Sequence, residues 1–100
     1  MGRLNQIART WMREHSGDLC GRESCDRYFI HSLGHGIGMD VHDPGPANVL
    51  VPGMVFTVEP GLYTPELGGF RHSDTVAVTK DGIEMMTYYA RDLPSLTIPV

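Results

Sequence analysis

His31, His35 and His42 are three of the five histidines of this chain, and they fall within twelve positions of a glycine-rich stretch. Glu59 follows in the segment Glu59-Pro60-Gly61. Imidazole nitrogens and carboxylate oxygens are the ligands of hydrolytic divalent-metal sites. Gly34, Gly36 and Gly38 let backbone pass close to a ligand or to another strand. The chemistry these groups point to is metal-assisted hydrolysis, with a carboxylate and an imidazole within reach of one another.

Other readings of the same residues are weaker. Gly34-x-Gly36-x-Gly38 is a poor phosphate cradle, because a helix must follow such a loop and Pro44 and Pro46 forbid a long one. Cys20, Cys25, His31 and His35 are the right types for a zinc knuckle, but the pairs lie closer together than in a finger. Arg71 and Asp74 flank His72-Ser73 and form, at their plainest, a surface ion pair on a strand. Tyr63 is by default a half-buried strand aromatic.

The elements that must hold these groups follow from periodicity and punctuation. Leu4, Ile7, Ala8 and Trp11 predict an amphipathic helix over 4–14, stopped at Gly17. Residues 16–27 read as a polar loop, and Tyr28-Phe29-Ile30 as a short strand leading to the histidines. His31 and His35 would share a helix face, but the glycines disfavour a helix and predict turn and strand. Residues 43–48 carry two prolines around a glycine and are irregular. Pro52-Gly53 is a turn. Strands are expected at 54–59, 62–64 and 74–79, with a turn at 65–69. Lys80-Asp81-Gly82 is a hairpin turn, and 83–87 pairs back. The tail, 91–100, has no periodicity. One helix followed by antiparallel strands gives an α+β class.

The bulk numbers agree with one small domain. The chain has 100 residues, 41% hydrophobic and 20% charged, with a formal net charge of −4. That charge, with no block of basic residues, argues against a nucleic-acid partner. No apolar run is long enough to span a membrane. The start lacks an apolar signal core, so a cytoplasmic location is expected, and Cys20 and Cys25 are expected to be free thiols.

The segments His31-Ser-Leu-Gly-His35-Gly-Ile-Gly-Met-Asp-Val-His42-Asp-Pro, Pro52-Gly-Met-Val-Phe-Thr-Val-Glu59-Pro-Gly-Leu-Tyr63, Gly69-Phe-Arg71-His-Ser-Asp74-Thr and Val78-Thr-Lys-Asp-Gly82 occur in that order. Over roughly residues 28–90 the chain resembles the pita-bread metallopeptidase family. That family includes aminopeptidase P, prolidase, methionine aminopeptidase and the metal-free creatinase. His31, Val41-His42-Asp43 and Glu59-Pro60-Gly61-Leu62-Tyr63 point to the Xaa-Pro peptidase branch. The resemblance implies a curved antiparallel sheet backed by helices. It also implies two divalent metals (Mn, Co or Zn), held by two aspartates, a histidine and two glutamates. By that resemblance His35 is the histidine ligand. Glu59 is the first glutamate ligand and also handles a catalytic proton. His42 hydrogen-bonds the substrate at the scissile bond, and His31 shapes the pocket for the proline side. Arg71 and Tyr63 support the site from the substrate side. The substrate implied is a peptide with proline at its second position.

Two departures shape the expectation further. The family's two aspartates belong upstream of this chain, and its second glutamate belongs at the position of Ser73. Two of five ligands remain, so the chain is expected to be a C-terminal part of the pita-bread catalytic domain, inactive alone. The alternative is a non-catalytic or metal-independent, creatinase-like member that binds a peptide or small ligand. Half of such a sheet leaves an open edge, to be covered by a homodimer partner or by an N-terminal half.

Overall fold

The structure is a computed structural model, and it describes residues 1–44 and 49–100. The irregular reading of 43–48 therefore falls mostly outside the described residues. Within them, Asp43 makes an isolated bridge to Gly36.

The expected helix is α1, Gly2–His15. Its inward stripe is Leu4, Ala8 and Met12, packed with Phe29 and Leu33. Ile7 and Trp11, expected in that stripe, are instead exposed on its flank. An i, i+4, i+8 line is narrower than the predicted face, and only this line meets the Phe29 cluster. Ser16 satisfies the end of the helix by donating its amide to the Met12 carbonyl at 3.2 Å. Gly17, at φ +51°, turns the chain away.

The loop after α1 departs from expectation twice. Cys20 and Cys25 are not free thiols but a disulfide, with Cα atoms 5.4 Å apart. Successive turns, with Gly21 at φ +63°, fold the segment back on itself and bring the sulfurs together. Both zinc-knuckle thiols are consumed by that bond. Tyr28-Phe29-Ile30 is not a strand either. A 3-10 turn spans Cys25–Tyr28, and Phe29 and Ile30 join no ladder. The Arg9 guanidinium reaches across from α1 and donates to the Asp26 and Phe29 carbonyls, both at 2.6 Å. Those acceptors are then unavailable to a neighbouring strand, and Phe29 is fully buried beneath the same guanidinium.

Among the described residues five strands follow: β1 Val55–Val58, β2 Gly61–Thr64, β3 Gly68–Arg71, β4 Asp74–Val78 and β5 Ile83–Met85. The order in the larger sheet is β1-β4-β5, and β2 and β3 form a second, two-stranded sheet. The turn expected over 65–69 is shorter, because β3 already begins at Gly68 and pairs with Thr64. All pairings are antiparallel. Phe56 and Val76, opposite one another, fill the core between β1 and β4.

The β1–β4 and β2–β3 ladders are one long hairpin, bent in the middle. Val58 pairs with Asp74 and Gly61 with Arg71, so Glu59 falls opposite Ser73 and Pro60 opposite His72. Pro60 has no N–H to give the ladder, but its carbonyl still accepts from the His72 amide at 3.3 Å. The side-chain alternation continues through the bend. Thr57, Glu59, Tyr63, Arg71 and Ser73 therefore share one face.

The tail holds one turn of helix that periodicity does not reveal, α2, Leu93–Leu96. The Asp92 carboxylate caps it, accepting from the Ser95 amide at 2.9 Å, with Pro94 in the first turn.

Candidate functional site

The histidine segment lies alongside β1 as an irregular extra strand. The Thr57 amide donates to the His35 carbonyl at 2.9 Å, and the Glu59 amide to the Leu33 carbonyl at 2.5 Å. Gly36 bridges Phe56. This approach explains Gly34, where any Cβ would fall on the Thr57 carbonyl. From the other side α1 holds the same segment, because the Asn5 side-chain oxygen accepts from the Leu33 amide at 2.5 Å.

His31, His35, His42, Glu59 and Arg71 then line a single cleft of about 420 Å³, with Ser32 and Gly34 between them. His35 Nε2 lies 2.9 Å from Glu59 Oε1. His35 Nδ1 lies 2.7 Å from the Gly36 carbonyl. A carbonyl only accepts, so Nδ1 carries a proton there. In the neutral ring Nε2 then offers a lone pair toward a carboxylate. Two acceptors this close need a cation or a proton between them. The pair thus fits the imidazole and carboxylate part of a divalent-metal site. Among the described residues no group of three His, Cys, Asp or Glu side chains is placed to hold a metal. Further ligands would have to come from outside them.

His42 stands at the end of a turn stapled by Asp43. The Asp43 carbonyl accepts from the Gly36 amide at 3.1 Å, and its carboxylate from the Asp40 amide at 3.1 Å. The His42 ring meets the His35 ring edge to face, with centroids 4.8 Å apart. His31 lines the same cleft. Its Nδ1 faces the Ser32 carbonyl at 2.8 Å, which leaves Nε2 to accept from the Tyr63 hydroxyl at 2.9 Å. Gly61 and Gly69 make room for the Tyr63 ring. Arg71 and Tyr63 are the two groups that the resemblance assigns to supporting the site. They share a face but serve different groups: Tyr63 holds His31, and Arg71 Nη1 stands 3.8 Å from Glu59 Oε2.

Asp74 does not pair with Arg71. It lies on the other face, where Arg91 grips both its carboxylate oxygens at 2.7 and 3.2 Å. The Arg91 guanidinium, helped by the Thr87 hydroxyl, holds the Asp74 carboxyl below the usual carboxylate range, against a smaller opposing effect of burial. Ser73 is exposed. Sequence reading does not single out Asn5, Arg9 or Thr57. Only Thr57 carried a signal, since it precedes Glu59 by two on a strand and so shares its face.

Residues 1–80 match the Metallopeptidase family M24. The Xaa-Pro dipeptidase of Pyrococcus furiosus is 43% identical over 96 residues, covering 90% of this chain and 25% of that protein. Among solved structures, an Xaa-Pro dipeptidase from Bacillus anthracis matches with a TM-score of 0.74 at 40% identity, over 91% of this chain and 25% of that one. The X-Pro aminopeptidase from Thermotoga maritima matches at 0.73 and 38%, over 89% and 24%. This chain therefore spans about a quarter of the length of its relatives. No helix among the described residues is long and apolar enough to cross a membrane. The α1 helix and bent antiparallel hairpin are a portion of the pita-bread fold seen in the matched prolidase structures. With four-fifths of its length matched and its histidine and glutamate segments brought into one cleft, the chain belongs to the M24 metallopeptidase family.

Proposed function

We propose that the chain is the C-terminal part of an Xaa-Pro aminopeptidase or dipeptidase. It would supply one imidazole and one carboxylate to a divalent-metal site that upstream carboxylates complete. The observation that carries this is the contact of His35 Nε2 with Glu59 Oε1 at 2.9 Å, with His35 Nδ1 committed to the Gly36 carbonyl. His35 and Glu59 would hold the metal, manganese, cobalt or zinc. When bound, such an ion polarises a peptide carbonyl and makes a water nucleophilic at neutral pH. Glu59 takes the water proton at its carboxylate and delivers it to the leaving nitrogen. His42, on its stapled turn, donates to the substrate around the scissile bond. His31, locked by Tyr63, walls the side that takes the prolyl residue, and Arg71 keeps positive charge beside Glu59. Two ligands bind metal weakly, so the chain by itself is inactive.

The test is hydrolysis of Xaa-Pro dipeptides with manganese, cobalt or zinc. It compares this chain with the same chain joined to the upstream portion of a matched relative. No turnover by the chain and turnover by the joined protein is the expected result. Cleavage by the isolated chain refutes its inactivity, and no cleavage by the joined protein removes the peptidase reading. Ser73 favours a second reading, a member that binds a peptide without metal or without turnover. It places a neutral hydroxyl opposite Glu59 where the resemblance implies a second glutamate. Peptide binding by the joined protein without metal, and turnover only after Ser73→Glu, would select that reading.

A further inference from the structure

We infer that Thr57 is a positioning residue, which fixes the carboxylate of Glu59 so that one chosen oxygen faces His35. The inference rests on the reading of His35 and Glu59 as the working pair. Thr57 is buried, at 8% exposure. Its hydroxyl accepts from the His35 amide at 3.0 Å. A hydroxyl has a single hydrogen, and here it points to Glu59 Oε1 at 2.5 Å. The same residue's amide donates to the His35 carbonyl. Thr57 is therefore bonded twice to the backbone of His35 and once to the side chain of Glu59.

A glutamate side chain turns about two staggered torsions and a terminal one that is broad and close to two-fold, so its carboxylate needs outside contacts to hold one position and one orientation. Three are present: Thr57 Oγ1, His35 Nε2 at 2.9 Å, and Arg71 Nη1 at 3.8 Å on the other oxygen. His35 would be occupied by a metal in the loaded site, and Arg71 is beyond hydrogen-bond distance. Among the described residues, Thr57 Oγ1 is the contact within hydrogen-bond distance that orients the carboxylate whether or not metal is bound. The plain alternative is that Thr57 is simply a β-branched strand residue that fills space. Valine has that shape and lacks the hydroxyl, so the two accounts separate.

The experiment uses the full chain as parent, Thr57→Val and Thr57→Ser, with Thr57→Ala as a second hydroxyl deletion should valine not fold. Side-chain NMR couplings of Glu59 are measured without metal, and Co²⁺ affinity is measured by visible absorption. Glu59 is expected in one rotamer in the parent and in Thr57→Ser, and averaged in Thr57→Val. Cobalt affinity is expected to fall about 10- to 100-fold in Thr57→Val and to return in Thr57→Ser. A Glu59 rotamer indifferent to the hydroxyl, or a loss that serine does not rescue, overturns the inference. A parent that binds no cobalt while Glu59 still loosens in Thr57→Val removes the metal reading and supports the positioning role. A parent that binds cobalt while Glu59 ignores Thr57 does the reverse.

Discussion

Ser73→Glu places a second carboxylate directly opposite Glu59 on the bent hairpin. The register sets this position, since Val58 pairs with Asp74 and Gly61 with Arg71 on either side of it. Opposed Cβ atoms in an antiparallel pair lie roughly 4.5–5.5 Å apart. Two negative charges about 5 Å apart repel by about 1–3 kcal/mol between an aqueous and a protein-like dielectric. Arg71, 3.8 Å from Glu59 Oε2, offsets part of that, so the lower half of the range is expected. For a chain of this length each kcal/mol moves the melting temperature by roughly 4–8 °C. Thermal melts of the parent, Ser73→Glu and the uncharged Ser73→Gln, at fixed ionic strength, measure the effect. Without metal, Ser73→Glu is expected to melt several degrees below both others. With Mn²⁺ or Co²⁺ it should gain more than either, because a second carboxylate tightens binding and a bound ion stabilises the folded state. If Ser73→Glu melts with Ser73→Gln in both conditions, Ser73 does not face Glu59 and the continuous-hairpin register is wrong.

The remaining expectations are simpler. The folded Asp74 carboxyl sits below its ordinary value because of Arg91. Its contribution is complete above the unfolded carboxylate value of roughly 3.9 and is lost as pH falls through the lower folded value. Urea midpoints against pH should drop through that acid window in the parent and drop less in Arg91→Gln. An equal drop in both would show that the clamp is not the cause. Gly34→Ala should destabilise by about 3 kcal/mol or more, since its Cβ meets the Thr57 carbonyl. Denaturant unfolding that matches the parent would contradict the close approach of the histidine segment to β1.

Punctuation made the β region legible. Pro52-Gly53, Pro60-Gly61 and Lys80-Asp81-Gly82 mark where strands end, and β1, β2, β4 and β5 lie within two residues of expectation, whereas β3, in a stretch read as a turn, is not foreseen. The helix was legible for the same reason, through its spacing. His31, His35, His42 and Glu59 could be read as candidates from their residue types and nearness in sequence, and the docking of the histidine segment on β1 brings them into one cleft. The segment from Cys20 to Ile30 could not be read. Tyr-Phe-Ile has strand propensity, but a guanidinium twenty residues upstream takes the Phe29 carbonyl, and no local pattern encodes that. The disulfide was hidden in the same way, since two cysteines in a loop do not show whether turns will close it. The roles of Asn5 and Arg9 are likewise long-range hydrogen bonds, visible only when the helix is docked.

The bent hairpin also acts as a ruler. Thr57, Glu59, Tyr63, Arg71 and Ser73 share one face because the count of residues on the two arms stays matched through Pro60. Adding or deleting one residue on a single arm would shift the pairing and turn every group beyond that point to the other surface. Length change is tolerable at the tip, around Pro65-Glu66-Leu67, or as a matched pair of changes across the arms. A library of single-residue insertions scanned along 57–75, made in the chain joined to the upstream portion of a matched relative, should therefore give turnover only at the tip, with a sharp boundary at Thr64 and Gly68.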